Sequence, residues 1–156
     1  MIEKNRIISI ELDEKTFFRR GPDIEQERKI AIYDLLEDNY FNLKNNFLGP
    51  CKLKLSIQDN HLLFQLESDY EKSFYTIALS LSPFRKIIKD YWVMCESYFL
   101  AVRKSTPAQI ETVDMARRSL HNEGSDILIK RLKDKVDLDE KTSRRLFTLI
   151  CVLHLR

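Results

Sequence analysis

The segment DMARRSLHNEGSDIL, residues 114–128, gathers Asp114, Arg117, Arg118, His121, Asn122, Glu123 and Ser125 within fifteen positions. These side chains bind anions and move protons. A guanidinium offers a planar set of N–H donors to a carboxylate or phosphate. An imidazole changes charge near neutral pH. On a helical wheel at about 100° per residue, Ile110, Val113, Ala116 and Leu120 define the core face of residues 107–122, and Glu111, Arg118 and Asn122 point away from it. Asp114, Arg117 and His121 fall together on one edge of that face, three and four residues apart, a spacing at which side chains stack. Two readings follow. One is a helix-edge salt bridge with a histidine near the helix C-terminus. The other is an anion- or carboxylate-binding pocket, with Arg117 as the donor fork and His121 as a second donor or proton source. Arg144 and Arg145, in the first turn of the last helix, could join that pocket, where the peptide dipole also favours an anion.

Other constellations carry less. Cys151 and His154 stand three apart on a helix and would make half a metal site; the other half would need Cys51 or His61, with no paired spacing to announce it. No metal and no cofactor is expected. There is no phosphate-cradling glycine loop, no G-x-S-x-G elbow and no H-E-x-x-H, so no catalytic residue is nominated. FFRR, residues 17–20, pairs aromatics with arginines as single-stranded RNA contacts do, but it also suits two phenylalanines anchoring a loop. An RNA-binding role would use Arg19, Arg20, Arg117, Arg118, Arg144 and Arg145. The charge balance, 26 basic against 24 acidic residues for a net +2, does not favour it.

The elements that must position these residues can be read from pattern. The chain has 156 residues, 44% of them hydrophobic and three of them glycine, which suits one folded domain spanning residues 1–156. Residues 6–12 alternate as a strand with Ile8, Ile10 and Leu12 inward. PDIEQER opens a helix that Asp23 can cap, running to about Asn39, with a loop after it. Residues 51–81 form a three-stranded meander with Leu53, Leu55 and Ile57, then Leu62, Phe64 and Leu66, on one face and a turn at Asp59–Asn60. A long helix starts with Ser82 as cap and Pro83 at its first position. Thr106 and Gln109 form a capping box for the next helix, Gly124 and Ser125 a second corner, KVDLD a short strand, and Asp139 the cap of the final helix. The fold class is therefore α+β: a small, mostly antiparallel sheet packed against a helix-rich C-terminal half.

The final stretch LFTLICVLHL is apolar all round and belongs in the centre of the molecule; it is too short to span a bilayer. On the helix after Pro83, Val93 and Leu100 lie opposite the main apolar face, as an interface or an intramolecular sandwich would require. Three widely spaced cysteines fit free thiols in a cytoplasmic protein, and no secretory leader is visible.

ELDEK, PDIEQER, LSPFRKIIKDYWVMCESY, PAQIETVDMARRSLHNEGS and RRLFTLICVLH together resemble a small bacterial family, uncharacterised protein family 0262. The resemblance runs over nearly the whole chain and implies a single-domain cytoplasmic bacterial protein. It implies no activity, cofactor or catalytic residue. The leading expectation is a non-enzymatic binding or regulatory module acting through protein contacts, with an unidentified protein partner or a homodimer and no membrane. An RNA-associated protein comes second. A small-anion enzyme or sensor at Asp114, Arg117 and His121 comes third.

Overall fold

The computed structural model describes residues 4–13, 22–45, 47 and 49–154. Arg19 and Arg20 lie outside them. Among the described residues the order is β1 (Ile7–Leu12), α1 (Pro22–Glu37), β2 (Phe41–Leu43), β3 (Cys51–Gln58), β4 (His61–Ser68), β5 (Phe74–Ser80), α2 (Ser82–Lys104), α3 (Pro107–Leu132), β6 (Val136–Leu138) and α4 (Glu140–His154). The class is α+β.

The larger sheet has the order β1-β3-β4-β5. Its meander is antiparallel, and the register sets Leu53 opposite Leu66, Leu55 opposite Phe64 and Ile57 opposite Leu62. These pairs line one face, as their two-residue period demands. Asp59 and Asn60 both have positive φ, which matches the twist of a tight hairpin. β1 pairs with β3 in parallel, so the sheet is mixed, and α1 lies in the crossover between them. The β1 register shifts between Ile7 and Ser9. That irregularity moves the alternation: Ile7 is fully buried, while Ile8 and Ile10 are only partly so.

Asn39 joins β1 to the end of α1. It is buried, accepts from Ile7 N at 2.8 Å and donates to Ile7 O at 2.9 Å and Leu35 O at 2.8 Å. Every polar atom of its amide is thus engaged, which makes its burial tolerable. The stretch read as a loop after α1 contains β2, which pairs antiparallel with β6. Asp23 sits inside the first turn of α1 rather than capping it, and Ser82 is likewise already helical, with Leu81 at the cap position.

α4 is the hub. Leu146 through Val152 are all buried, and the helix packs on α1, α3 and the sheet. Asp139 accepts from Thr142 N at 2.9 Å and closes its first turn. α3 differs from expectation. It continues through Gly124 and Ser125 to Leu132 as one helix of 26 residues. Gly124 marks no corner, and Ser125 caps nothing. A Cβ on Gly124 would lie 2.1 Å from the Phe147 ring of α4, so glycine lets that ring press against the helix backbone.

Candidate functional site

The corner between α2 and α3 is built as the sequence dictates. Thr106 Oγ1 accepts from Gln109 N at 3.3 Å, and Gln109 Oε1 accepts from Thr106 N at 3.1 Å. α3 then folds back along α2 with the wheel's face turned towards Arg117 and His121: Ile110, Val113 and Leu120 remain partly buried, Leu120 against the core. Ala116 is exposed; Arg117 and His121 are partly buried, and Gly124, Leu128 and Leu132 continue the inward stripe. A polar stretch of α3 is therefore carried towards the interior.

There it borders a concavity of about 320 Å³. α3 contributes Arg117, Arg118, His121 and Asn122; α4 contributes Arg144 and Thr148. Glu27 of α1 and Tyr91 of α2 complete the lining. Of the residues singled out from sequence, Arg117, Arg118, His121 and Arg144 thus meet. Asp114 stands behind the wall. Its Oδ1 accepts from Arg117 Nε at 3.1 Å and Nη2 at 2.6 Å, and its Oδ2 lies 3.1 Å from Arg118 Nε. Arg145 turns elsewhere, 3.8 Å from Asp34 on α1, with Nη1 donating to Lys141 O at 3.2 Å.

Each arginine is held in place. Arg117 lies over the Tyr98 ring at 4.8 Å and stands 3.9 Å from the Glu27 carboxylate. Arg144 donates from Nε, at 3.1 Å, and from Nη2 to the Asn122 amide oxygen. Burial pushes the Glu27 pKa up, partly opposed by the Arg117 charge.

His121 sits between the rings of Tyr91 and Phe147, with centroids 5.3 Å from each. Burial, then the Arg144, Arg117 and Arg145 charges, pull its pKa down to about 4, so the ring is neutral at physiological pH. Its Nε2 lies 2.7 Å from Thr148 Oγ1, which is 3.2 Å from the Arg144 carbonyl. The hydroxyl has one hydrogen. Giving it to the carbonyl makes Nε2–H the donor and leaves Nδ1 with a lone pair.

Glu27, Tyr91, Asn122 and Thr148 were not nominated from the sequence. Thr148 carried a signal, a hydroxyl inside an otherwise apolar helix run, one turn after Arg144. Glu27 and Tyr91 carried none, because their helices meet α3 only in the folded chain. Elsewhere the three cysteines are buried and free, and burial raises the Cys51 thiol to about 12 and the Cys95 thiol to about 11. Among the described residues no group of three His, Cys, Asp or Glu could hold a metal, and no helix is long and apolar enough to cross a membrane.

No solved structure matches the chain. Its sequence is similar to a UPF0262 protein of Rhodospirillum rubrum, 55% identical over 154 residues that cover 99% of this chain and 95% of that one. A UPF0262 protein of Paramagnetospirillum magneticum is 49% identical over 156 residues, covering 100% and 99%. One of Phenylobacterium zucineum is 52% identical over 155 residues, covering 99% and 96%. The profile of uncharacterised protein family UPF0262 matches residues 4–156, and the chain belongs to that bacterial family.

Proposed function

We propose that this is a cytoplasmic binding protein for a small anion, taken up in the concavity between α3 and α4. The observation that carries the reading is the convergence of Arg117, Arg118 and Arg144, from two helices, on one hollow of about 320 Å³. That size suits a small molecule, since ligand pockets begin at about 300 Å³. Three guanidiniums there face Asp114 and Glu27, with the exposed Glu140 4.0 Å from Arg144, and burial favours the neutral form of Glu27. The surplus is positive in surroundings only partly open to water, where an anion is attracted more strongly than in bulk. The neutral His121 adds a site for a ligand hydrogen without adding charge.

The RNA reading has less support. Asp114 and Glu27 lie against Arg117, Asp114 against Arg118 and Asp34 against Arg145, so acidic side chains interrupt the basic cluster that RNA would need. A protein-contact role has the exposed Val93 and Leu100 in its favour, without a shaped recess.

The test is thermal unfolding with phosphate, sulfate, acetate and citrate at millimolar concentration, against chloride at matched ionic strength. At least one anion should raise the melting temperature of the wild type, because a ligand of the folded state stabilises it by mass action. Arg144→Gln should remain folded and lose that response. Absence of any anion-specific shift in the wild type would sink the proposal.

A further inference from the structure

We infer that the anion is a tetrahedral phosphate group rather than a planar carboxylate, and that Asn122 helps to set this preference. The inference rests on the anion-binding reading above. A carboxylate pairs best with two parallel N–H donors on one guanidinium. The side-on pair formed by Nε and Nη2 is already occupied in two of the three arginines. In Arg117 it is spent on Asp114 Oδ1, and in Arg144 on Asn122 Oδ1. Arg118 has its Nε committed to Asp114 Oδ2.

What remains is the far end of each group. Arg117 Nη1 has only the longer 3.9 Å approach of Glu27. Among the described residues, no protein atom hydrogen-bonds to Nη1 of Arg144 or to either Nη of Arg118. The hollow is thus lined by three separate guanidiniums from two helices, each keeping its end-on edge beyond the side-on pair. One flat carboxylate fills one such edge and leaves the others unmet, whereas a phosphate carries oxygens in several directions and meets edges of more than one guanidinium together. The holders also fix the donors in advance, so less side-chain freedom is lost on binding. Asn122 holds Arg144 without adding a charge, so among the described residues the one carboxylate near Arg144 is the exposed Glu140 at 4.0 Å, whereas an aspartate at position 122 would add a second.

Titration calorimetry at pH 7.5 and constant ionic strength tests this with four probes: inorganic phosphate, glycerol 3-phosphate, acetate and succinate. Either phosphate should bind at least about tenfold more tightly than both carboxylates, and the stronger of the two identifies free phosphate or a phosphate ester as the source. Carboxylates equal to or tighter than phosphates would overturn the inference while leaving the anion site standing. Absence of binding by all four would overturn the inference, and with no response to sulfate or citrate either it would remove the anion site as well. In Asn122→Ala the side-on edge of Arg144 is released, so the ratio of phosphate to carboxylate affinity should fall severalfold. A ratio equal to that of the wild type would overturn the role given to Asn122, and circular dichroism would establish that the variant is folded.

Discussion

His121 is a histidine that the fold keeps uncharged. Its pKa is lowered to about 4 by burial and by Arg144, Arg117 and Arg145, against about 6.5 in an unfolded chain. Between those values the unfolded state binds a proton that the folded state refuses. Stability is therefore undiminished by this group above pH 6.5 and falls as the pH drops towards 4, by up to about 3 kcal/mol. Glu27 works in the opposite sense, since its raised pKa lets the folded state take up a proton first. The clean readout is the difference between the wild type and His121→Gln in urea unfolding at pH 7 and pH 4.5. The wild type should lose more stability over that interval, and parallel losses would show that the ring is not held neutral. A bound phosphate would oppose the arginine charges and draw the His121 pKa upwards, which NMR of the imidazole can follow.

At the scale of the element, α3 shows where the sequence is legible and where it is not. Its start was written locally: Thr106, Pro107 and Gln109 act on one another within a single turn. Its continuation through Gly124 was not, because a glycine among polar residues has the signature of a helix stop, while its actual cause is a phenyl ring 23 residues further on. The same distance effect hid the face of the helix. The wheel counted Ala116, which is exposed, with Ile110, Val113 and Leu120 as core, and so Arg118 and Asn122 were placed away from the recess they line. Alternation revealed the meander but could not name the neighbour of β1, since period two says which face is buried and nothing about which edge is paired. Gly124→Ala tests the ring contact. Alanine favours a helix by about 1 kcal/mol over glycine. Its methyl group would nevertheless strike the buried Phe147, and overpacking of that kind costs about 1–3 kcal/mol. A net loss of stability is expected, with recovery in the double variant Gly124→Ala, Phe147→Leu. A stabilised single variant would mean that the ring yields freely.

For the molecule as a whole, α4 is the shared core. Leu149 is fully buried, so Leu149→Ala should cost about 2–5 kcal/mol in chemical unfolding. Amides of residues 146–153 should be among the slowest to exchange. The central position of this helix was legible because its apolar residues leave no polar face. Val93 and Leu100, by contrast, are 49% and 51% exposed. Nothing among the described residues encloses them, and the intramolecular sandwich does not form around them. Val93→Glu with Leu100→Glu should therefore leave the fold and the melting temperature nearly unchanged. Sedimentation of the wild type beside this variant would separate a self-associating chain from a monomer.

The order of the elements carries one more consequence, in time rather than in space. A ribosome releases the sheet, α1, α2 and α3 before it releases the helix on which α1, α3 and the sheet pack. Until then the faces of α1, α3 and β3 that pack on α4 have no apolar partner from it, and the nascent chain must wait with that surface open. Folding is thus held back until α4 has been made, and Arg144 and Thr148 reach the recess only then. A chain stopped after Asp139 should be protease-sensitive and bind hydrophobic dye, whereas the same chain supplied with residues 140–156 should become resistant. Anion binding would then report the docking of α4: a molecule that responds to phosphate has already brought Arg144 and Thr148 to the recess.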